Sequence, residues 1–199
     1  MRLVYVSLLL ERRRGLHARL VEALEALAPE RVAEQVERLA HHALRGEMWG
    51  KAVTCCQQAG ARAWDHAAFR EAVASFDQAL HALAHLPENG DTRVLALELR
   101  LALGGPLHAM GEYGRRLALL GEAEVLARAL DDRVRLGRVL AQMAQVRRIT
   151  GDHDGAIAAG QQALKLAAEP ARAPCRGKHS ITWGRHTMPS VTSAGRPSC

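Results

Sequence analysis

Leu9, Leu16, Leu20, Leu24 and Leu27 fall on one stripe at helical spacing, so the pattern predicts a first helix over about Val6–Ala28. Ala28-Pro29 breaks it, and Pro29 suits the first turn of a second helix, about Glu30–Arg45. That helix lines up Val32, Val36, Leu39 and Ala43 and stops at Gly46. A third spans about Trp49–His66, and a fourth about Phe69–Leu86, ended by Pro87 and the Asn89-Gly90 turn signal. Asp91 or Thr92 is the expected cap of the fifth. Its stripe is Leu95, Leu99, Ala102 and Leu103, and Gly104-Gly105-Pro106 should kink or loosen it. Tyr113–Leu130, Arg133–Thr150 and Asp154–Ala168 read as the sixth to eighth helices, with Asp131-Asp132 as one break. Short connections make neighbouring helices antiparallel.

Beyond Glu169 the periodicity fails. Pro170, Pro174, Pro189 and Pro197 interrupt a stretch rich in Ser and Thr, which reads as a disordered tail over 170–199. Its composition departs so sharply from the helical body that a foreign reading frame or a truncation scar is a further expectation. The chain thus divides into an N-terminal helix (1–28), a helical repeat region (29–169) and the tail.

The repeat is visible in small residues. Ala59-Gly60, Leu103-Gly104 and Met143-Ala144 each precede a second helical signature, with Gly60, Gly104 and Ala144 spaced by 44 and 40 residues. The second signatures hold Phe69, Ala72 and Phe76; then Gly111-Glu112-Tyr113 and Leu120; then Gly151-Asp152-His153, Ala156 and Ala163. A unit of this size cannot bury its apolar face alone and stacks on its neighbours. The expected packing residues are Gly60, Ala72, Gly104, Tyr113, Ala144, Ala156 and Ala163.

Composition supports an all-α chain. Ala and Leu dominate, aromatic residues are 4% of the total, and alternating β-branched runs are missing. The net charge of +6 suggests nucleic acid until it is located. Residues 171–199 hold five basic and no acidic side chains, leaving 22 basic against 21 acidic in the first 170. The helical body is balanced, so nucleic-acid binding is not the expectation. The apolar start, Leu3–Leu10, runs into Glu11-Arg12-Arg13-Arg14. It is too short for a membrane span, and its charges lie on the wrong side for a signal peptide. Four cysteines, two of them adjacent, make no disulfide framework, so a cytoplasmic protein with reduced thiols is expected.

The units resemble tetratricopeptide repeats. Gly151-Asp152-His153-Asp154-Gly155-Ala156-Ile157 with Ala163-Leu164 is similar to the family's turn and second helix, with His153 where Tyr is usual. Leu103-Gly104 and Gly111-Glu112-Tyr113 match at both places, although Arg116 stands where the family has Ala. The resemblance implies antiparallel helix pairs stacked into a right-handed α-solenoid, with helices longer than the family's unit of about 34 residues allows. At the front, Tyr5, Leu8-Leu9, Glu11-Arg12-Arg13-Arg14, Leu16-His17 and Ala23-Leu24-Glu25 look like the end of the winged-helix linker in large bacterial signalling ATPases, often with a nucleotide-cyclase domain. That implies a sensor or repeat arm of such a protein, cut off or encoded alone. No G-x-x-x-x-G-K-[ST] loop is present, since Gly50-Lys51 is followed by Ala52.

Catalytic chemistry finds no support in the motifs, and no cofactor is implied. His81 and His85 share a helix face without the H-E-x-x-H carboxylate, and His41-His42 point different ways. Cys175, His179 and His186 have only loosely ligand-like spacing. Of Cys55 and Cys56, one is expected in the core and the other partly exposed. By repeat register, the inner groove is lined by Gln57, Trp64, Asp65, Glu98, His108, Arg138, Gln145 and Arg148. Trp64 is either an anchor for a partner or a wedge between helices. The expected function is a non-catalytic scaffold for a peptide or protein segment. The alternatives are self-assembly through the solenoid ends, giving a homo-oligomer, or nucleic-acid binding through the tail.

Overall fold

The computed structural model describes the backbone of residues 2–27 and 35–168, and side chains within 9–26 and 35–168. Among the described residues the chain is all-helical, without strands: α1 (Arg2–Leu27), α2 (Val36–Arg45), α3 (Trp49–Asp65), α4 (Phe69–Leu83), α5 (Gly90–Ala109), α6 (Tyr113–Ala129), α7 (Arg133–Thr150) and α8 (His153–Ala168). The expected break at Ala28-Pro29, the start of the second helix at Glu30, and the whole tail lie outside the described residues. Each helix packs on the next in chain order, with α3 also meeting α5.

Five of the connections share one geometry. The middle residue of each three-residue turn, at Glu47, Ala67, Gly111 and Asp131, sits at φ between 50° and 74°, and Gly151 at 86°. The next amide reaches back five residues: Met48 donates to the Ala43 carbonyl, Ala68 to Ala63, Glu112 to Leu107, Asp132 to Ala127 and Asp152 to Arg147. These bonds satisfy carbonyls that the ending helix leaves open, and the left-handed residue reverses the chain. Three of these left-handed residues are not glycine, so their side chains bear strain of about 1–2 kcal/mol each.

The connection between α4 and α5 differs. Helix α4 ends at Leu83, three residues before the expected Leu86, and α5 starts at Gly90. The cap is Asn89, not Asp91 or Thr92. Its side chain accepts the Thr92 amide at 2.9 Å, while the Thr92 hydroxyl accepts the Asn89 amide at 2.8 Å. Both donors are satisfied by one reciprocal pair, which outweighs a single cap further along.

Gly104-Gly105-Pro106, expected to kink or loosen the helix, does not end it. Helix α5 runs unbroken to Ala109 with Pro106 in its last turn, and Leu103, Gly104, Pro106 and Leu107 are all buried. Packing overrides a local preference worth about 1 kcal/mol for each glycine and 3 for proline. Helix α5 is buried on opposite sides. Leu99, Leu103 and Leu107 join the core built by α1–α4, and Leu97 and Leu101 join the core of α6–α8.

Close approach at Gly60 fixes the α3–α4 pair. A Cβ there would stand 2.8 Å from the ring of buried Phe76, and Ala72 is fully enclosed. In the last unit, by contrast, Ala144, Ala156 and Ala163 are half-buried, and Ala159 is the buried residue of α8. Gly60→Ala is expected to lower stability by about 1–3 kcal/mol, because the buried Phe76 ring must shift to admit the methyl group. Ala67→Gly should raise it by a few tenths to about 1 kcal/mol, by releasing the left-handed strain at φ 56°. Thermal unfolding of the two variants against the parent checks both signs.

Candidate functional site

Helices α3, α5 and α7 bring the most promising side chains together. Trp64, near the end of α3, leans on Phe69 of α4 with ring centroids 5.5 Å apart. Its six-membered ring also covers Gly105 of α5, where a Cβ would lie 3.1 Å from it. The indole is nevertheless 42% exposed. Trp64 is therefore both a wedge against α5 and an aromatic surface, held in place from beneath.

One residue earlier on α5, Gly104 faces the guanidinium of Arg116 from α6 and the amide of Gln142 from α7, both within 3.5 Å of a Cβ built there. Arg116 is only 4% exposed. Its Nη2 donates to Gln145 at 3.1 Å and weakly to Gln142 at 3.4 Å, while Nε and Nη1 are enclosed without a partner. Burial pushes its pKa down, and nearby Tyr113 offsets this in part. A buried guanidinium without a carboxylate is costly, since its desolvation is not repaid. One turn along α5, His108 rests its ring near Tyr113, at 5.6 Å, with Nδ1 buried and unpaired.

Of the eight expected groove residues, Trp64, His108 and Gln145 lie around this stretch of α5. Glu98 and Arg138 meet each other at 3.4 Å, in a network where Arg135 donates to Glu98 at 2.7 Å and also pairs with Asp132. Burial disfavours the charge of Arg135, but the bonds to Glu98 and Asp132 outweigh it and raise its pKa. Glu98 and Arg138 are thereby engaged within the protein. Gln57 is half-buried on α3, whereas Asp65 and Arg148 are exposed at the ends of α3 and α7. None of the three shares a hydrogen bond or ion pair with the Arg116 cluster.

Arg116 and Gln142 escaped the sequence-based groove. The available signal was Arg116 itself, a charged residue where the repeat pattern asks for Ala beside a glycine.

A second cluster joins α1 to α2. His17 and His42 stack at 5.0 Å, with their Nδ1 atoms 2.8 Å apart, and His41 meets both rings edge-on. His41 and His42 thus share one neighbour despite their adjacent positions. Burial, then the charges of His17, His41 and Arg38, lower the pKa of His42. His81 and His85 sit edge-to-face at 5.0 Å, and His85 stacks on Trp49 at 3.9 Å. Among the described residues no three ligating side chains are placed to hold a metal ion. Cys175, His179 and His186 lie outside them.

Cys55 and Cys56 are both buried, which corrects the expectation that one is partly exposed. Ala52, Val53, Cys55, Cys56, Ala59 and Gly60 form one wide buried face of α3, so adjacent positions can both be covered. Burial, with a smaller contribution from Cys55, pushes the Cys56 thiol up to about 12. No helix among the described residues is long and apolar enough to cross a membrane.

No protein-family model matches the chain, and no curated protein matches it.

Two outcomes follow. A lowered folded-state pKa means that the unfolded chain binds the His42 proton more readily, so stability should fall as pH drops below about 6.5. Thermal unfolding at pH 7.5 and 5.5 measures that loss, and His42→Leu should flatten it. At pH 8, Cys55 and Cys56 should resist iodoacetamide in the folded protein and react after denaturation, as read by peptide mapping.

Proposed function

We propose that this chain is a non-catalytic interaction scaffold: a right-handed, tetratricopeptide-like α-solenoid of antiparallel helix pairs. It holds a peptide or protein segment along the face formed by α3, α5 and α7. The observation that carries this reading is Trp64, exposed above and braced below by Phe69 and Gly105. A rigid aromatic surface beside polar groups with spare hydrogen-bonding capacity suits a binding hot spot. Packing by chain neighbours adds support, because helices stacked in that order can present an extended face. The front resemblance extends the proposal to a regulatory arm of a larger cytoplasmic ATPase-type signalling protein of bacteria.

A second reading is favoured by α8, where Ile157 is 59% and Leu164 71% exposed. These exposed apolar side chains of α8 would suit stacking of one copy on another. Light scattering over a concentration series tests this reading, and a monomer at all concentrations overturns it.

For the principal reading, a displayed peptide library is panned against the protein and enriched sequences are titrated by fluorescence anisotropy. Trp64→Ala should weaken their binding about tenfold or more, with unchanged helicity. Absence of any enriched peptide, or equal binding by Trp64→Ala, would overturn it.

A further inference from the structure

We propose that Arg116 is the anion-recognising residue of this face, and that the ligand it takes is a carboxylate of a bound peptide. The inference rests on the binding face proposed above and names what that face recognises.

The guanidinium is enclosed between α5, α6 and α7, yet no acidic residue among those described is paired with it. Glu112, one turn before it, pairs with Arg115, and Glu98 pairs with Arg135 and Arg138. Only the amide oxygens of Gln142 and Gln145 accept from Arg116, both through Nη2. Nε and Nη1 thus retain N–H groups without a partner, and loss of the long Gln142 bond would free an Nη2 hydrogen to complete, with Nε, the fork that a carboxylate fits with two parallel bonds.

Beside the guanidinium, the missing side chain of Gly104 makes room that Gln142 fills. Gly104 has no side chain, and the Gln142 amide oxygen lies 2.6 Å from where a Cβ would be, with Arg116 Nε at 3.4 Å. Gln142 therefore occupies a space beside the guanidinium that a larger residue at position 104 would close. Its bond to Arg116 is long, at 3.4 Å, so little holds it there. Gln142 is half-buried and Gln145 exposed, so a change of rotamer at Gln142 would free this space for an entering group. A carboxylate entering it would exchange one weak neutral acceptor for an ionic one, beside a guanidinium enclosed by protein. Trp64 on neighbouring Gly105 would lie beside the entering chain. His108, with its own unpaired Nδ1, stands one turn further along.

The test follows the Arg116 Nε–H signal in 1H–15N spectra, assigned by its loss in Arg116→Met. The probes are N-acetylglutamate α-amide for a side-chain carboxylate, acetylglycine for a chain terminus, and N-acetylglutamine amide as the neutral control. Saturable shifts with one or both carboxylates, about tenfold weaker with the neutral amide, are expected, and the tighter carboxylate identifies its source. Gln142→Ala should strengthen the response. Gln142→Glu should abolish it and raise the unfolding temperature, because the new carboxylate pairs with Arg116 internally. This variant keeps the test decisive if Arg116→Met does not fold. Equal shifts with the neutral amide, no shift with any probe, or an undiminished response in Gln142→Glu would overturn the assignment. Enriched library peptides that bind irrespective of charge, with no carboxylate response, would sink the Arg116 site and leave the scaffold reading standing.

Discussion

Everything in this protein hinges on α5 being a helix without a solvent-only side. Leu99, Leu103 and Leu107 close the core below it, and Leu97 and Leu101 open the core above it. At its middle, small residues let partners reach the backbone: Trp64 covers Gly105, and Arg116 and Gln142 face Gly104. A helix enclosed in this way tolerates two glycines and a proline, because packing supplies the stability that local preference withholds. Those same residues make the helix thin enough for side chains from α3, α6 and α7 to converge on it. The candidate site is thus a by-product of how the two cores are joined.

The helices were legible because their apolar positions recur with a helical period, and this survives without any knowledge of partners. Their ends were less so. Gly46, Gly111 and Gly151 advertise turns, but Glu47, Ala67 and Asp131 adopt the same left-handed backbone without the residue that normally signals it. Tertiary packing imposes those conformations, so composition could not reveal them. The reciprocal Asn89–Thr92 cap was hidden for another reason, since Asp91 and Thr92 are equally good caps when read singly.

The site was half-legible. Repeat register placed Trp64, His108 and Gln145 on one side, and they do surround the same part of α5. Register also assigned Glu98 and Arg138 to the groove, and there Glu98 is paired with both Arg138 and Arg135. A face can be inferred from periodicity; whether a charge on it is already spent on a neighbour cannot. Arg116 shows the converse. It interrupts the expected small-residue pattern, and that local inconsistency marked the one charged residue that is buried among those described.

The succession of contacts between chain neighbours also has a mechanical side. Because nearly every interface joins consecutive helices, pulling the two ends apart loads the interfaces in series, much as coils of a spring share an extension. Of the described helices, α1 and α8 would peel first: α1 buries Val21 among its described side chains, and α8 buries Ala159. Helix α5, gripped on two sides, would yield last. A tug transmitted along the chain would therefore leave the middle intact while its flanks lengthen.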